Sequence, residues 1–201
     1  MPDFSLEDEC GGLVAGVDEA GRGPWAGPVI SAAVILPREL GAELKAGLDD
    51  SKKLTSAKRA SLYTILRGCA DIGIGGASVA EIECQNILGA TLVSMARAIA
   101  GLDTPPQKVL VDGNHLPNKL ACPGKAIVKG DGISLSIAAA SVVAKVTRDK
   151  IMSTLALRYP VYGWENNAGY GTRQHQRGLS IHGISPHHRR SFAPIFRIIN
   201  P

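Results

Sequence analysis

Five short apolar runs, none longer than eight residues, alternate with helix-length segments, and this alternation limits the fold more than any other feature of the chain. The runs are Leu13 to Val17, Val29 to Leu36, Ile72 to Ala77, Lys108 to Val111 and Ala126 to Val128. Apolar runs of this length, closed by Gly, Pro or an acid, read as buried strands. Thr55 or Ser56 is placed to cap a helix running to about Arg67. Val79 to Leu102 reads as one or two helices before Pro105-Pro106, and Ser134 to Tyr159 keeps helical spacing up to Pro160. A further helix is expected near Thr172 to Leu179 in an otherwise turn-rich end. Strands with interleaved helices and a helical tail give an α/β or α+β sheet core with a C-terminal extension from about residue 160. The 201 residues fit one domain, and an apolar share of 45% suffices for a core.

Charge is unevenly spread. Residues 1–140 hold 13 Lys/Arg against 16 Asp/Glu, whereas residues 141–201 hold 9 against 2, with four of the five histidines. A basic last third attracts polyanions, although a solubilising face has the same composition. Cys10, Cys69, Cys84 and Cys122 form no C-x-x-C pair, which argues against a zinc site, and they are too sparse for a disulfide scaffold. A reduced, cytoplasmic setting is expected. The acidic start, Met1 to Cys10, lacks the apolar run of a signal peptide, and no apolar segment is long enough to span a bilayer. No oligomeric interface is legible, and a monomer is expected.

Acids recur where strands end. Asp18-Glu19 closes the first run, Asp112-Gly113 the fourth, and Gly130-Asp131-Gly132 follows the fifth. Mg²⁺ and Mn²⁺ need hard oxygen ligands, and two-metal phosphodiester hydrolysis needs several carboxylates converging from different elements. Taken singly, each acid with its glycine reads equally well as a turn. Gly21-Arg22-Gly23 offers unobstructed backbone N–H groups beside a guanidinium, suited to a ribose hydroxyl or a phosphate, or to a simple glycine turn. Ser141, Lys145 and Arg148 share one helical face, which suits a phosphate backbone, while Lys145 and Asp149 also form a plain i,i+4 pair. His188 is assigned a structural or phosphate-side role, and Trp25 and Trp164 a packing role.

The run V-D-E-A-G-R-G-P-W-A-G-P-V at Val17 to Val29 resembles the signature of the ribonuclease HII (type 2 ribonuclease H) family. The similarity continues in order through D-S-K-K-L at Asp50 to Leu54, V-D-G at Val111 to Gly113 and K-G-D at Lys129 to Asp131. It extends through I-A-A-A-S-V-V-A-K-V-T-R-D at Ile137 to Asp149, G-Y-G-T at Gly169 to Thr172 and H-R-R-S-F at His188 to Phe192. This resemblance implies a ribonuclease-H-like fold, a mixed central sheet flanked by helices with a C-terminal helical segment. It implies an endonuclease acting on RNA–DNA hybrids and on duplex DNA with embedded ribonucleotides. Such an enzyme cuts 5′ of the ribonucleotide, leaves 3′-hydroxyl and 5′-phosphate ends, and serves ribonucleotide excision and primer removal. The metal-binding acids carry over to Asp18, Glu19, Asp112 and Asp131, which would hold two Mg²⁺ or Mn²⁺ ions. Contact with the 2′-hydroxyl carries over to Gly21, Arg22 and Gly23, and stacking on the following deoxyribose to Tyr170. Lys52 and Lys53 would lie near the substrate strand. One departure is Ala168, where the family often has lysine in N-K-G-Y. A DNA-directed carboxylate nuclease and a non-catalytic hybrid-binding module remain the rival readings.

Overall fold

The first apolar run becomes a strand that continues three residues past the end of its apolar pattern. The computed structural model describes residues 1–200. In chain order the elements are α1 (Ser5–Cys10), β1 (Val14–Ala20), β2 (Val29–Ile35), α2 (Ala42–Gly47), α3 (Ser56–Cys69), β3 (Asp71–Ala77), α4 (Val79–Ala100), β4 (Lys108–Asp112) and β5 (Gly124–Ile127). They continue with α5 (Leu135–Arg158), α6 (Trp164–Asn167), α7 (Arg173–His182) and α8 (Ala193–Ile199). All five apolar runs form strands. β1 runs on to Ala20 because its ladder with β2 continues through Asp18↔Ala32, Glu19↔Ser31 and Ala20↔Ile30. Main-chain pairing does not depend on side-chain polarity, so an apolar pattern cannot see these last residues.

The sheet order is β3-β2-β1-β4-β5. β1 pairs antiparallel with β2 and parallel with β4, and its pairing with β4 stops at Val17↔Val111. Beyond that point β1 projects past β4, and the two strands end at different heights in the centre of the sheet. This open step is where the acids gather.

Helices cover both faces. α5 lies against the β1–β2 face with Ala138, Ala139, Ala140 and Ala144 fully buried. A Cβ on Gly16 would meet the Ser136 backbone at 2.1 Å, so only glycine lets helix and strand come this close. α3 packs its fully buried Leu62 and Leu66 into the same cluster, and cutting either to Ala is worth about 2–5 kcal/mol. α4 covers the other face through Met95 and Ala98. It breaks at Asn86, whose φ of 58° interrupts the helix and whose side chain caps the Leu88 and Gly89 amides. Thr55, Ser78, Ser134 and Thr172 each cap a helix by accepting from the third residue on.

Four helices had no clear periodic signal: α1, α2, α6 and α8 have four to seven residues each. α1 is held by tertiary contact. Its buried Glu7 accepts from the Ser136 amide and from the Ser134 and Ser136 hydroxyls at the start of α5, adding negative charge at that helix's positive end. Among the described residues no helix is long and apolar enough to cross a membrane.

Candidate active site

Asp18 and Glu19 are neighbours on β1 and so face opposite sides of the sheet. Asp18 is buried and lines a cleft with Lys52, Lys145, Gly21 and Tyr170. Glu19 lines both this cleft and a hollow beside α4 that also holds Asp112. Asp112 ends β4 and accepts the Gly130 amide at 2.7 Å, and this bond draws the turn carrying Asp131 onto the strand end. Lys129 adopts a left-handed φ of 58° to start that turn. The four acids expected to act together therefore converge at the open step of the sheet.

Their electrostatics fit that convergence. Burial, followed by Glu19, Asp112 and Asp131, raises the Asp18 carboxyl well above its ordinary range. Burial raises Glu19 too, although Arg22, 3.6 Å away, and Lys52 pull the other way. Asp131 is raised by burial and by Asp50 and Asp112. Asp50 was not singled out in the sequence, because one more acid in a polar loop carries no signal until the loop is placed. Partial burial alone would lower Lys52, but Asp50, Asp18, Asp131 and Asp112 outweigh it and raise its pKa. Lys52 thus faces the acids as well as the cleft, while Lys53 pairs with Asp49 at 2.9 Å.

Among the described residues no three His, Cys, Asp or Glu side chains form a ready-made metal cage. Three of the carboxylates take a local partner: Asp18 the Glu19 amide, Glu19 the Arg22 guanidinium and Asp112 the Gly130 amide. Mutual repulsion favours such spreading. The donor set is all carboxylate oxygen, which suits a hard divalent cation, and a cation is what repelling carboxylates at one point lack.

The proposed basic stripe on α5 is corrected. Ser141 is buried and donates to the Ala138 carbonyl. Arg148 is about 1% exposed and donates to the carbonyls of Pro28, Ala168 and Ala26. Both side chains are almost wholly covered and bonded to main-chain carbonyls, with Arg148 forming part of the cleft wall, so neither offers a free polar group to a phosphate. Only Lys145 keeps partial exposure, paired with Asp149 at 2.7 Å. Arg189, not singled out in the sequence, is fully buried and holds the Gly21–Pro28 segment from beneath.

Tyr170 is half exposed beside Gly23, at the cleft. Ala168 precedes it with a left-handed φ of 46°, and Gly169 follows at 86°. The Tyr170 carbonyl accepts from His175 Nδ1 at 3.0 Å. Of the two roles expected for His188, its burial and bonds favour the structural one over contact with a phosphate. His188 is about 1% exposed, Nδ1 accepts the Ser185 amide at 2.8 Å, and Nε2 lies 2.9 Å from His175 Nε2. These bonds fix both tautomers: His188 carries its proton on Nε2 and donates to His175, which carries its own on Nδ1 for Tyr170. Trp164, fully buried, donates to His175 Nε2 as well, and Trp25 packs nearby, in keeping with packing roles.

Burial, with His175 adjacent, pushes His188 down to about 4. An unfolded histidine titrates near 6.5. As pH falls from about 6.5 to about 4, the unfolded chain takes up a proton that folded His188 refuses, so stability falls across that window by about 3 kcal/mol. Urea unfolding at stepped pH should show this loss in wild type minus His188→Gln. A flat difference would remove His188 from the acid response.

A family model described as Ribonuclease HII matches residues 15–195. Ribonuclease HII of Jannaschia sp. (strain CCS1) is 54% identical over 198 residues, covering 98% of this chain and 98% of that protein. Ribonuclease HII of Rhodospirillum rubrum is 58% identical over 198 residues, covering 97% of this chain and 90% of that one. The crystal structure of ribonuclease H2 from Pyrococcus horikoshii OT3 matches with a TM-score of 0.78 at 26% identity, over 94% of this chain and 98% of that chain. The mixed sheet flanked by helices is therefore the ribonuclease-H-like fold that the sequence led us to expect. The matched span takes in the acid cluster, the glycine–arginine–glycine loop and most of the tail beneath it, and on that evidence the chain is a ribonuclease H enzyme that belongs to the ribonuclease HII family.

Proposed function

We propose that this chain hydrolyses the RNA strand of RNA–DNA hybrids and cuts duplex DNA on the 5′ side of single embedded ribonucleotides, leaving 3′-hydroxyl and 5′-phosphate ends. The observation that carries this reading is the adjacency of two devices in one segment: Asp18 and Glu19 lie near the end of β1, and Gly21-Arg22-Gly23 follows at the mouth of the same cleft as Tyr170. Asp18, Glu19, Asp112 and Asp131 would hold two divalent ions, Mg²⁺ or Mn²⁺. Such ions supply Lewis acidity at the attacking and departing oxygens of a phosphodiester.

The residues of the chain do the rest. The Arg22 and Gly23 amides read the ribose 2′-hydroxyl, the group that separates RNA from DNA. Tyr170 stacks on the next sugar, where a hydroxyl would crowd the ring. Lys52 and Lys145 at the cleft, and Lys53 beyond it, attract the phosphate backbone, so activity falls as salt rises. Gly23 makes a sharp test of fit. A Cβ there would lie 3.5 Å from Tyr170 Cε1, an ordinary contact, whereas at Gly21 it would lie 2.1 Å from Arg148 Nε. Gly23→Ala should leave stability within about 0.5 kcal/mol and yet raise KM for a ribonucleotide-containing duplex. An unchanged KM would place the sugar elsewhere.

We take the whole chain as one catalytic unit in which the segment from about residue 160 contributes to the substrate surface, working as a monomer in the cytoplasm. Its roles would lie in ribonucleotide excision and RNA primer removal. The deciding experiment maps cleavage on a labelled duplex with one ribonucleotide, with Mg²⁺, Mn²⁺ or EDTA. Cutting 5′ of the ribonucleotide with either ion, and none in EDTA, is expected. Equal cutting of an all-DNA duplex would favour the DNA-directed rival, and binding without cleavage the non-catalytic one.

A further inference from the structure

Two guanidinium groups lie beneath the Gly21–Pro28 segment, and among the described residues neither touches a carboxylate. Every hydrogen bond that Arg148 and Arg189 side chains make goes to a main-chain carbonyl. Burying two like charges without a counter-ion is costly, and apolar side chains of similar size would fill the same space. Burial, and for Arg189 the adjacent Arg148, push the two down to about 9 for Arg189 and about 10 for Arg148, so both remain charged at neutral pH. What an apolar replacement could not do is set the direction of carbonyls.

That direction matters at two peptide units. Arg189 holds the Gly21 carbonyl at 2.6 Å and the Arg22 carbonyl at 2.9 Å. A trans peptide carries its carbonyl and its N–H on opposite sides. With both carbonyls drawn down onto Arg189, the N–H groups of the same units, those of Arg22 and Gly23, are turned away from the core. Both residues are exposed at the cleft, and among the described residues neither amide has a protein acceptor. Arg148 and the remaining Arg189 bonds fix the far end of the segment at Ala26, Gly27 and Pro28.

We infer that Arg189 is a positioning residue for ribose recognition: by holding the Gly21 and Arg22 carbonyls inward it aims the Arg22 and Gly23 amides at the 2′-hydroxyl. This rests on the proposed reading of Gly21-Arg22-Gly23 as the ribose contact. Lysine keeps the charge but has no planar fork to hold two carbonyls at once, so Arg189→Lys separates charge from geometry.

The test measures affinity in Mg²⁺ for a duplex with one ribonucleotide and for its all-DNA counterpart, in an Asp18→Asn background that spares the substrate. The parent should prefer the ribonucleotide. Arg189→Lys should lose about tenfold on that duplex, the worth of one or two hydrogen bonds, and keep its all-DNA affinity, so that the preference collapses. An intact preference, or an equal loss on both duplexes, overturns the role of Arg189. No preference in the parent overturns the ribose reading itself, and the proposal with it. If Arg189→Lys does not fold, amide exchange in the wild-type protein decides. The Arg22 and Gly23 amides should exchange freely in the absence of nucleic acid and be protected by the ribonucleotide duplex alone. Protection in the free protein would overturn the inference.

Discussion

Asp18→Asn should abolish hydrolysis while leaving the fold intact and, without metal, more stable than wild type. The two halves of this expectation have one cause. Asp18 is buried among Glu19, Asp112 and Asp131, and each raises the cost of its charge. Its folded pKa stands above the unfolded value, so the folded protein holds protons that the unfolded chain has already released. Stability is full below the unfolded pKa and is lost as pH rises through the folded one. Asparagine removes that charge in nearly the same shape and still accepts the Glu19 amide bonded to Asp18 Oδ1. Melting in EDTA at neutral pH should therefore rise for the variant. Mg²⁺ should raise the wild-type melting point and raise that of Asp18→Asn far less. On the proposed reading Asp18 would be a ligand to the catalytic ions, and its loss would forfeit several kcal/mol of transition-state stabilisation, so kcat should fall roughly a thousandfold or more. A variant that melts lower in EDTA would mean that the acids are not repelling one another as placed. One that still cleaves would remove Asp18 from the chemistry.

The strands were legible because apolar runs closed by Gly, Pro or acid report directly on burial. Long helices were legible through caps and spacing, as at Thr55 and Ser134. The acids were legible as a set because each closes or follows a strand, and neighbouring strands of one sheet end near one another. What stayed hidden were facts about facing. Ser141, Lys145 and Arg148 do share a side of α5, but that helix is covered over most of its circumference, with 14 of its 24 residues buried, so a polar stripe on it points inward as readily as out. Nothing in the sequence of the basic tail marks Arg189 or His188 as buried. They are buried because the tail folds back beneath the Gly21–Pro28 segment, with Arg189 N–H donating to the Trp25 carbonyl and Gly27 N–H to the His187 carbonyl. A cation that finds only carbonyl partners leaves no charge pattern in a sequence. Asp50 shows the same limit from the acidic side, since its place beside Asp131 depends on how a polar loop comes to face the turn that follows β5.

Tyr170→Ala should cost much of the cleavage at an embedded ribonucleotide, and Tyr170→Phe very little. The difference isolates the ring, because the backbone at this position is held independently of the side chain. The Tyr170 amide donates to the Asn167 carbonyl at 2.8 Å, and its carbonyl accepts from His175. Asn167 in turn donates to the Tyr162 carbonyl and accepts the Gly169 amide. Removing the ring therefore leaves the loop in place, and a half-exposed side chain carries little of the core, so both variants should melt close to wild type. An aromatic platform under a nucleotide is worth about 1–3 kcal/mol by truncation, which is roughly a tenfold to hundredfold loss in kcat/KM. The loss should depend on substrate. On the proposed reading a deoxyribose after the ribonucleotide would pack flat on the ring, whereas a ribose there would bring a hydroxyl against it, so continuous RNA would gain less from the ring to begin with. Tyr170→Ala should thus fall steeply on the single-ribonucleotide duplex and shallowly on an uninterrupted RNA–DNA hybrid, narrowing the gap between the two. Equal losses on both would make Tyr170 a general backbone support, and no loss on either would take the sugar off the ring altogether.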